Sequence, residues 1–234
     1  MKKLNELAGN GFEELTNENL EKIEQEVHED NIYAGEGNII KEVLTAFPDN
    51  KDLNIVAMKI AVIDLTNSTH LNQHKNILSL NDLANAILDI DNFDERVENG
   101  DVSLVKEITK RSPINIFSFA SKYCCYHAVE VYGHDDYSIF DNVVRICLPF
   151  YVRGLTPGKI ESWRKDMDYE SFHACIGKLL DEHHINVSFK RRKFDHFLWY
   201  KNRLRIKASV IEKRKSSKKK KEDQTLLDFD PPLN

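Results

Sequence analysis

Asn115-Ile116-Phe117-Ser118-Phe119-Ala120-Ser121-Lys122-Tyr123-Cys124-Cys125 is an apolar run interrupted by one charge, and nineteen positions after that lysine Tyr137-Ser138-Ile139-Phe140-Asp141-Asn142-Val143-Val144 supplies an acid. The apolar stretch from Ile114 to Tyr126 predicts a helix, Gly133-His134-Asp135-Asp136 a loop, and Asp141 to Tyr151 the next helix. Packed side by side, two such helices put an amine and a carboxylate on one cleft. That pairing suits chemistry passing through a Schiff base. The bland reading uses the same residues: a lysine whose stem lies along an apolar face and an aspartate that simply caps a helix.

Outward from this core the pattern stays helical. Leu20, Ile23 and Val27 recur at helical spacing behind Thr16 or Asn17 as cap. Phe47-Pro48-Asp49-Asn50 reads as a turn. Ile55 to Leu65, broken only by Lys59 and Asp64, reads as a nearly all-apolar central helix. Leu80 to Leu88 is amphipathic with Asn81 as its expected cap; Asn99-Gly100-Asp101 ends one segment and Val102 to Ile108 starts another. Leu155-Thr156-Pro157-Gly158 is expected to close the helix that begins at Asp141, and Tyr169 to Leu180 and Phe194 to Ile206 complete the set. Strand-like alternation with hairpin turns is scarce and no internal repeat is found, so the expected fold is all-α, with about eight or nine helices.

Composition narrows the class. The chain has 234 residues, 41% hydrophobic and 30% charged, as a soluble globular protein does. It has no basic start followed by an apolar run and no stretch of eighteen apolar residues, so neither a signal peptide nor a membrane span is expected. Cys124, Cys125, Cys147 and Cys175 lack C-x-x-C spacing, which argues against a disulfide framework or a four-cysteine zinc site and for an intracellular compartment. The net charge of -5 hides an asymmetry: residues 1–100 carry eight Lys/Arg against twenty Asp/Glu, and residues 187–221 carry fifteen against two. A basic block beside an acidic body predicts a polyanionic partner, nucleic acid before anionic membrane. Lys213 to Lys221, low in complexity, predicts a disordered tail.

With Lys122 and Asp141 in place, the chain resembles the helix-hairpin-helix DNA glycosylase superfamily over roughly residues 55 to 152. In that family a lysine near the start of one helix is followed about nineteen positions later by an aspartate at the head of the next, in an apolar-Pro-x-Asp-x-x-Val context. Here the context is Ser138-Ile139-Phe140-Asp141-Asn142-Val143-Val144, with Ser138 at the usual proline. The family's Leu-Pro-Gly-x-Gly hairpin is absent; Ile114 to Ser121 stands in its place, which is nearest to the archaeal 8-oxoguanine glycosylase branch. The missing glycines remove the close backbone approach to a DNA phosphate. The resemblance implies a two-lobed helical glycosylase-like fold and a base-excision DNA glycosylase with AP-lyase activity. A damaged base is flipped out, Lys122 attacks the sugar C1′, and Asp141 stabilises the oxocarbenium-like charge.

The remaining site residues are expectations around that pair. Asn67, in the polar patch Asp64 to Leu71, matches the position of the family's base-flipping wedge; a helix C-cap explains it equally. Phe117, Phe119, Phe140 and Trp163 are candidates for the base pocket, with core packing as the competing role. Asp181-Glu182-His183-His184 and His173 lack zinc spacing, so neither metal nor other cofactor is expected. Lys190, Arg191, Arg192 and Lys193, then Lys201, Arg203 and Arg205, threaded with Phe194, Phe197, Trp199 and Tyr200, are expected to face a DNA backbone. Gln224, Leu227 and Phe229 look like the anchors of a sliding-clamp-binding peptide; stray apolar residues in a tail, or a nuclear-import signal at 213–221, are the rival readings. The expected organisation is an acidic helical segment at 1–30, a glycosylase-like domain at 31–206 and a basic tail at 207–234. The partners are double-stranded DNA and a sliding clamp, not a membrane, and the protein is expected to be a monomer. The alternative is a non-catalytic DNA-binding or clamp-associated helical protein.

Overall fold

The computed structural model describes residues 13–200 except 68 and 70, and among them every regular element is a helix. The order is α1 (Asn17–Glu29), α2 (Asn31–Ala46), α3 (Leu53–Asn67), a 3-10 turn (Leu71–His74), α4 (Leu80–Leu88), α5 (Phe93–Glu98), α6 (Ser103–Lys110), α7 (Phe117–Glu130), α8 (Asn142–Tyr151), α9 (Pro157–Asp166) and α10 (Tyr169–Glu182). A further helical run at 190–200 is α11. The all-α expectation is met. No helix among the described residues is long and apolar enough to cross a membrane.

α7 is the centre, buried on every side from Phe119 to Ala128. An amphipathic stripe does not suffice there, which is why its sequence is apolar all round. α2, α3, α5 and α6 pack on it, and α3 packs in turn on α4. α1 buries Leu20, Ile23 and Val27 in the same core, beside Phe194, Phe197 and Leu198 of α11.

Capping decides where the helices begin. Thr16 accepts from the Asn19 amide and Asp168 from the Ser171 amide, satisfying donors that a helix start leaves free. Two expectations are corrected. α4 is capped by Ser79, not Asn81: Ser79 and Asp82 exchange hydrogen bonds in a capping box. Leu155-Thr156-Pro157-Gly158 opens a helix instead of closing one, with Thr156 as cap and Pro157, which needs no amide partner at a first turn, inside α9. α2, α5 and α9 were not anticipated.

Candidate active site

Lys122 lies in the second turn of α7 and Asp141 is the N-cap of α8. Asp141 Oδ1 accepts from the Val144 amide at 2.9 Å, and Oδ2 lies 4.0 Å from Lys122 Nζ. The preceding residues fix this register. Ser121 Oγ accepts from the Phe140 amide at 3.0 Å and donates to the Ser118 carbonyl at 2.9 Å, so α7 grips the strand-like approach to α8 one residue before the aspartate. That approach is held from behind as well. The Tyr169 hydroxyl accepts from the Ser138 amide and donates to the Ser138 carbonyl, both at 2.7 Å. A proline at 138 would lack that amide.

The lysine and aspartate side chains are 8% and 13% exposed, buried but still reached by solvent. Besides Asp141, Lys122 Nζ donates to the Asn67 carbonyl at a long 3.5 Å. Asn67 ends α3 and is bracketed on both sides, because its side-chain Oδ1 accepts from the Tyr126 hydroxyl at 2.7 Å. Its amide nitrogen donates to Thr66 Oγ1 at 3.0 Å. The turn beyond is gathered by Asp64, whose Oδ1 accepts from the Leu71 amide at 2.9 Å and from the Thr69 hydroxyl. Asn67 therefore comes together with Lys122 and Asp141, with its side chain turned toward α7.

Sequence reasoning passed over two residues, Tyr126 and Asp195, that complete the surroundings together with Arg192. Arg192 of α11 stacks its guanidinium 4.8 Å from the Tyr126 ring centroid and donates to the Tyr126 hydroxyl at 3.4 Å. Its other nitrogen pairs with Asp195 at 2.7 Å. Burial pushes the Asp195 carboxyl up to about 7; Arg192 and Lys122 pull it down, and the negative charges of Asp141 and Glu24 push it up. Asp195 is the single acid between residues 187 and 211. A lone acid three residues after an arginine in a basic block was the available signal.

The basic quartet makes contacts within the protein. Lys190 pairs with Asp181 at 3.0 Å and Lys193 with Glu21 at 2.7 Å. Arg191 donates to Ser138 Oγ and the His173 carbonyl, and Arg192 is occupied as above. Each cation of the quartet thus meets a protein partner, and all the partners but Asp195 were hidden by sequence separation. Lys201, Arg203 and Arg205, the tail at 207–234, and Gln224, Leu227 and Phe229 lie outside the described residues.

Phe117, Phe119, Phe140 and Trp163 are all interior. Phe117 and Phe140 meet edge to face at 4.9 Å, Phe140 packs on Phe172 at 5.0 Å, and Phe119 leans on Tyr123. They form the packing behind the lysine. Among the described residues no cluster of three or more His, Cys, Asp and Glu side chains has the arrangement to hold a metal ion. A pocket of about 290 Å³ opens at the turn from α2 to α3, lined by Phe47, Pro48, Lys51, Asp52 and Ile55 among others and not by Lys122.

Set beside known proteins, residues 17–131, just under half of the chain, match the family model HI_0787_N, described as an N-terminal domain. The matched stretch begins with α1 and ends just past α7, so it includes Asn67, Lys122 and Tyr126 and leaves out Asp141, Arg192 and Asp195. Neither a curated protein nor a solved structure matches the chain.

Proposed function

We propose that the protein is a DNA base-excision glycosylase with AP-lyase activity, working through a Schiff base on Lys122. One observation carries the reading: Lys122 Nζ and Asp141 Oδ2 are 4.0 Å apart at the ends of adjoining helices, with solvent still reaching both. Among the described residues the amine has, besides that carboxylate, one long hydrogen bond to a carbonyl. An amine so lightly held is free to exchange its partners for a reacting carbon.

The chemistry follows from those two groups. A base extruded from the duplex costs about a few kcal/mol, least when it is damaged or mispaired. Asp141 takes a proton from the lysine ammonium and passes it to the solvent that still reaches the pair, returning to a carboxylate. The amine lone pair then forms a bond to the sugar C1′ as the glycosidic bond breaks, its electron pair leaving with the base, which takes up a proton. The Asp141 carboxylate faces the positive charge that develops on the sugar ring. Ring opening of the C1′ adduct gives an iminium, and loss of a C2′ proton expels the 3′ phosphate, nicking the strand. Lys201, Arg203, Arg205 and the 213–221 run supply further cations for phosphate contacts.

Borohydride reduction in the presence of abasic, uracil-containing and 8-oxoguanine-containing duplexes tests this. The native protein should form a covalent adduct with at least the abasic duplex, and Lys122→Gln should form none. An adduct that persists in Lys122→Gln, or no adduct with any of the three, overturns the assignment. Salt-sensitive DNA binding without an adduct would favour a DNA-binding protein that has no such chemistry.

A further inference from the structure

The stretch around Asn67 has a second grip that the reaction above does not use. Lys122 and Tyr126 stand one helical turn apart on α7 and both reach Asn67: the amine meets its backbone carbonyl at 3.5 Å, the hydroxyl its side-chain oxygen at 2.7 Å. Tyr126 is in turn fixed by Arg192, stacked 4.8 Å from its ring and bonded to its hydroxyl at 3.4 Å, and Arg192 is fixed by Asp195 at 2.7 Å. Tyr126, Lys122 and the Arg192 and Asp195 side chains are all mostly buried. A buried hydroxyl satisfied on both sides holds its partner in one place. The end of α3 is otherwise a helix C-terminus, whose last carbonyls have no partner within the helix and take whatever donor the fold presents.

We propose that Tyr126, held by Arg192 and Asp195, is a positioning residue for Lys122: it pins Asn67 so that the Asn67 carbonyl holds the amine beside Asp141. The inference rests on the Schiff-base reading for its biological meaning but not for its geometry. It links α11, which lies outside the matched family stretch, to a lysine that lies inside it. Tyr126 touches none of the reacting atoms; it acts on the amine only through Asn67.

Two variants isolate this. Tyr126→Phe removes the hydroxyl and keeps the ring, and Asn67→Ala removes the side-chain acceptor and keeps the backbone carbonyl. Each should lower the plateau of the single-turnover borohydride trapping rate on abasic duplex about tenfold, with duplex affinity unchanged in Tyr126→Phe. The midpoint of the pH–rate profile should move to lower pH, because the ammonium has lost the acceptor that Tyr126 keeps within reach. The double variant should be no worse than either single one, since both remove the same bond. A merely structural tyrosine would lower thermal stability and leave the profile and its midpoint where they were. That result, or additive losses in the double variant, overturns the proposal. A second measurement needs no DNA: reductive alkylation of Lys122 in the full chain with formaldehyde and cyanoborohydride, followed across pH by peptide mass spectrometry. If Tyr126→Phe shifts that profile while the native protein gives no DNA adduct, the positioning stands and the glycosylase reading falls. If the native protein traps DNA and neither profile shifts in Tyr126→Phe, the glycosylase reading stands and the positioning falls.

Discussion

Two buried lysines face the two ends of the α3–α7 contact, and they are held in opposite ways. Lys59, wholly buried on α3, has four acceptors within 3.3 Å: the Pro48 and Asp49 carbonyls, Asn50 Oδ1 and His127 Nε2. The surroundings are satisfied too, since His127 Nδ1 donates to the Tyr123 carbonyl, and the Tyr123 hydroxyl and the Asp94 carboxylate both bond Asn50. Lys122 has one long bond and one carboxylate at 4.0 Å. Burial alone therefore does not mark a functional lysine. What separates the two is how completely the amine's protons are already engaged, and how much solvent still reaches it.

The sharpest way to break the comparison is to remove each amine in turn. Lys122→Gln should abolish the borohydride adduct and change stability little. Lys59→Met should leave trapping at its native rate and cost about 2 kcal/mol of stability, because the remaining acceptors lose their donor. The pH dependence gives a further check. Burial lowers the Lys59 pKa from 10.5 to about 8, with Asp94 and Asp49 pulling it back up. Between those values the unfolded chain binds more protons than the folded one, so native stability should rise as pH goes from about 8 to 10. Chemical denaturation across that range should show the rise in the native protein and not in Lys59→Met. Trapping lost in Lys59→Met at full folding would erase the distinction.

Asp141 offers a smaller but cleaner separation. Asp141→Asn keeps an oxygen for the Val144 amide, so α8 should lose no more than about 1 kcal/mol of its capping. It removes the charge that faces Lys122. Trapping should fall about 100-fold, a difference near 2.7 kcal/mol in the barrier. If stability and trapping fall together and Asp141→Asn binds DNA poorly, Asp141 is a cap and nothing more.

The Lys122 side of the comparison was the more legible of the two. An apolar helix with one lysine and an aspartate cap at a fixed spacing are local features, and Asp141 N-caps α8 as read. Asn67 was named through its match to the wedge position of the resembled family, with a helix C-cap as the rival reading, and its side chain turns toward Tyr126. Lys59 was noted only as a break in an apolar run, because its partners come from residues 48–50 and 127 and their charge balance from Asp94. Distant partners around the basic quartet were hidden in the same way: Asp135 holds the Arg191 and Arg192 amides from 56 and 57 positions away, and Glu21 meets Lys193 from 172. α2 escaped notice because Gly35 and Gly37 weaken its helical signal, each costing up to about 1 kcal/mol in helix propensity. Tertiary packing overrides such local weakness, and only the fold reveals it.

Acid should move the two lysine neighbourhoods differently, and this is the smallest of the expected effects. Around Lys122, burial raises Asp195 to about 7 and Asp135, which caps α11, to about 6. A carboxyl raised in the folded state binds protons that the unfolded chain does not, so each favours α11 as pH falls from 7 toward 4. His196 opposes them. Burial and the Arg192 charge lower it to about 4, so it stays neutral while an unfolded histidine protonates below 6.5, and stability falls with pH across that window. His173, lowered to about 4 by burial and by the Arg191 charge, opposes them too, so two imidazoles offset much of what the two carboxyls gain. Around Lys59 the one group titrating in this range is His127, lowered to about 3 by burial and by the lysine itself, and it contributes a loss. Hydrogen exchange corrected for intrinsic rates should therefore show the amides at 190–200 gaining protection from pH 7 to 5, while the α7 amides, whose opening also exposes His127, do not gain. Below 4.5 the gain should reverse. Glu24 is held at about 2 against the upward pull of burial by the His196 hydrogen bond and by the charges of His196, Arg192 and His28, so it stays charged while the unfolded carboxyl protonates; stability falls from about 4.5 toward 2, where the 2.6 Å contact from α1 to α11 is lost. Asp195→Asn should remove most of the gain and leave the acid reversal in place. Equal changes at α7 and α11 would mean that the two neighbourhoods open as one, and the contrast between the lysines would then be one of geometry without separate energetics.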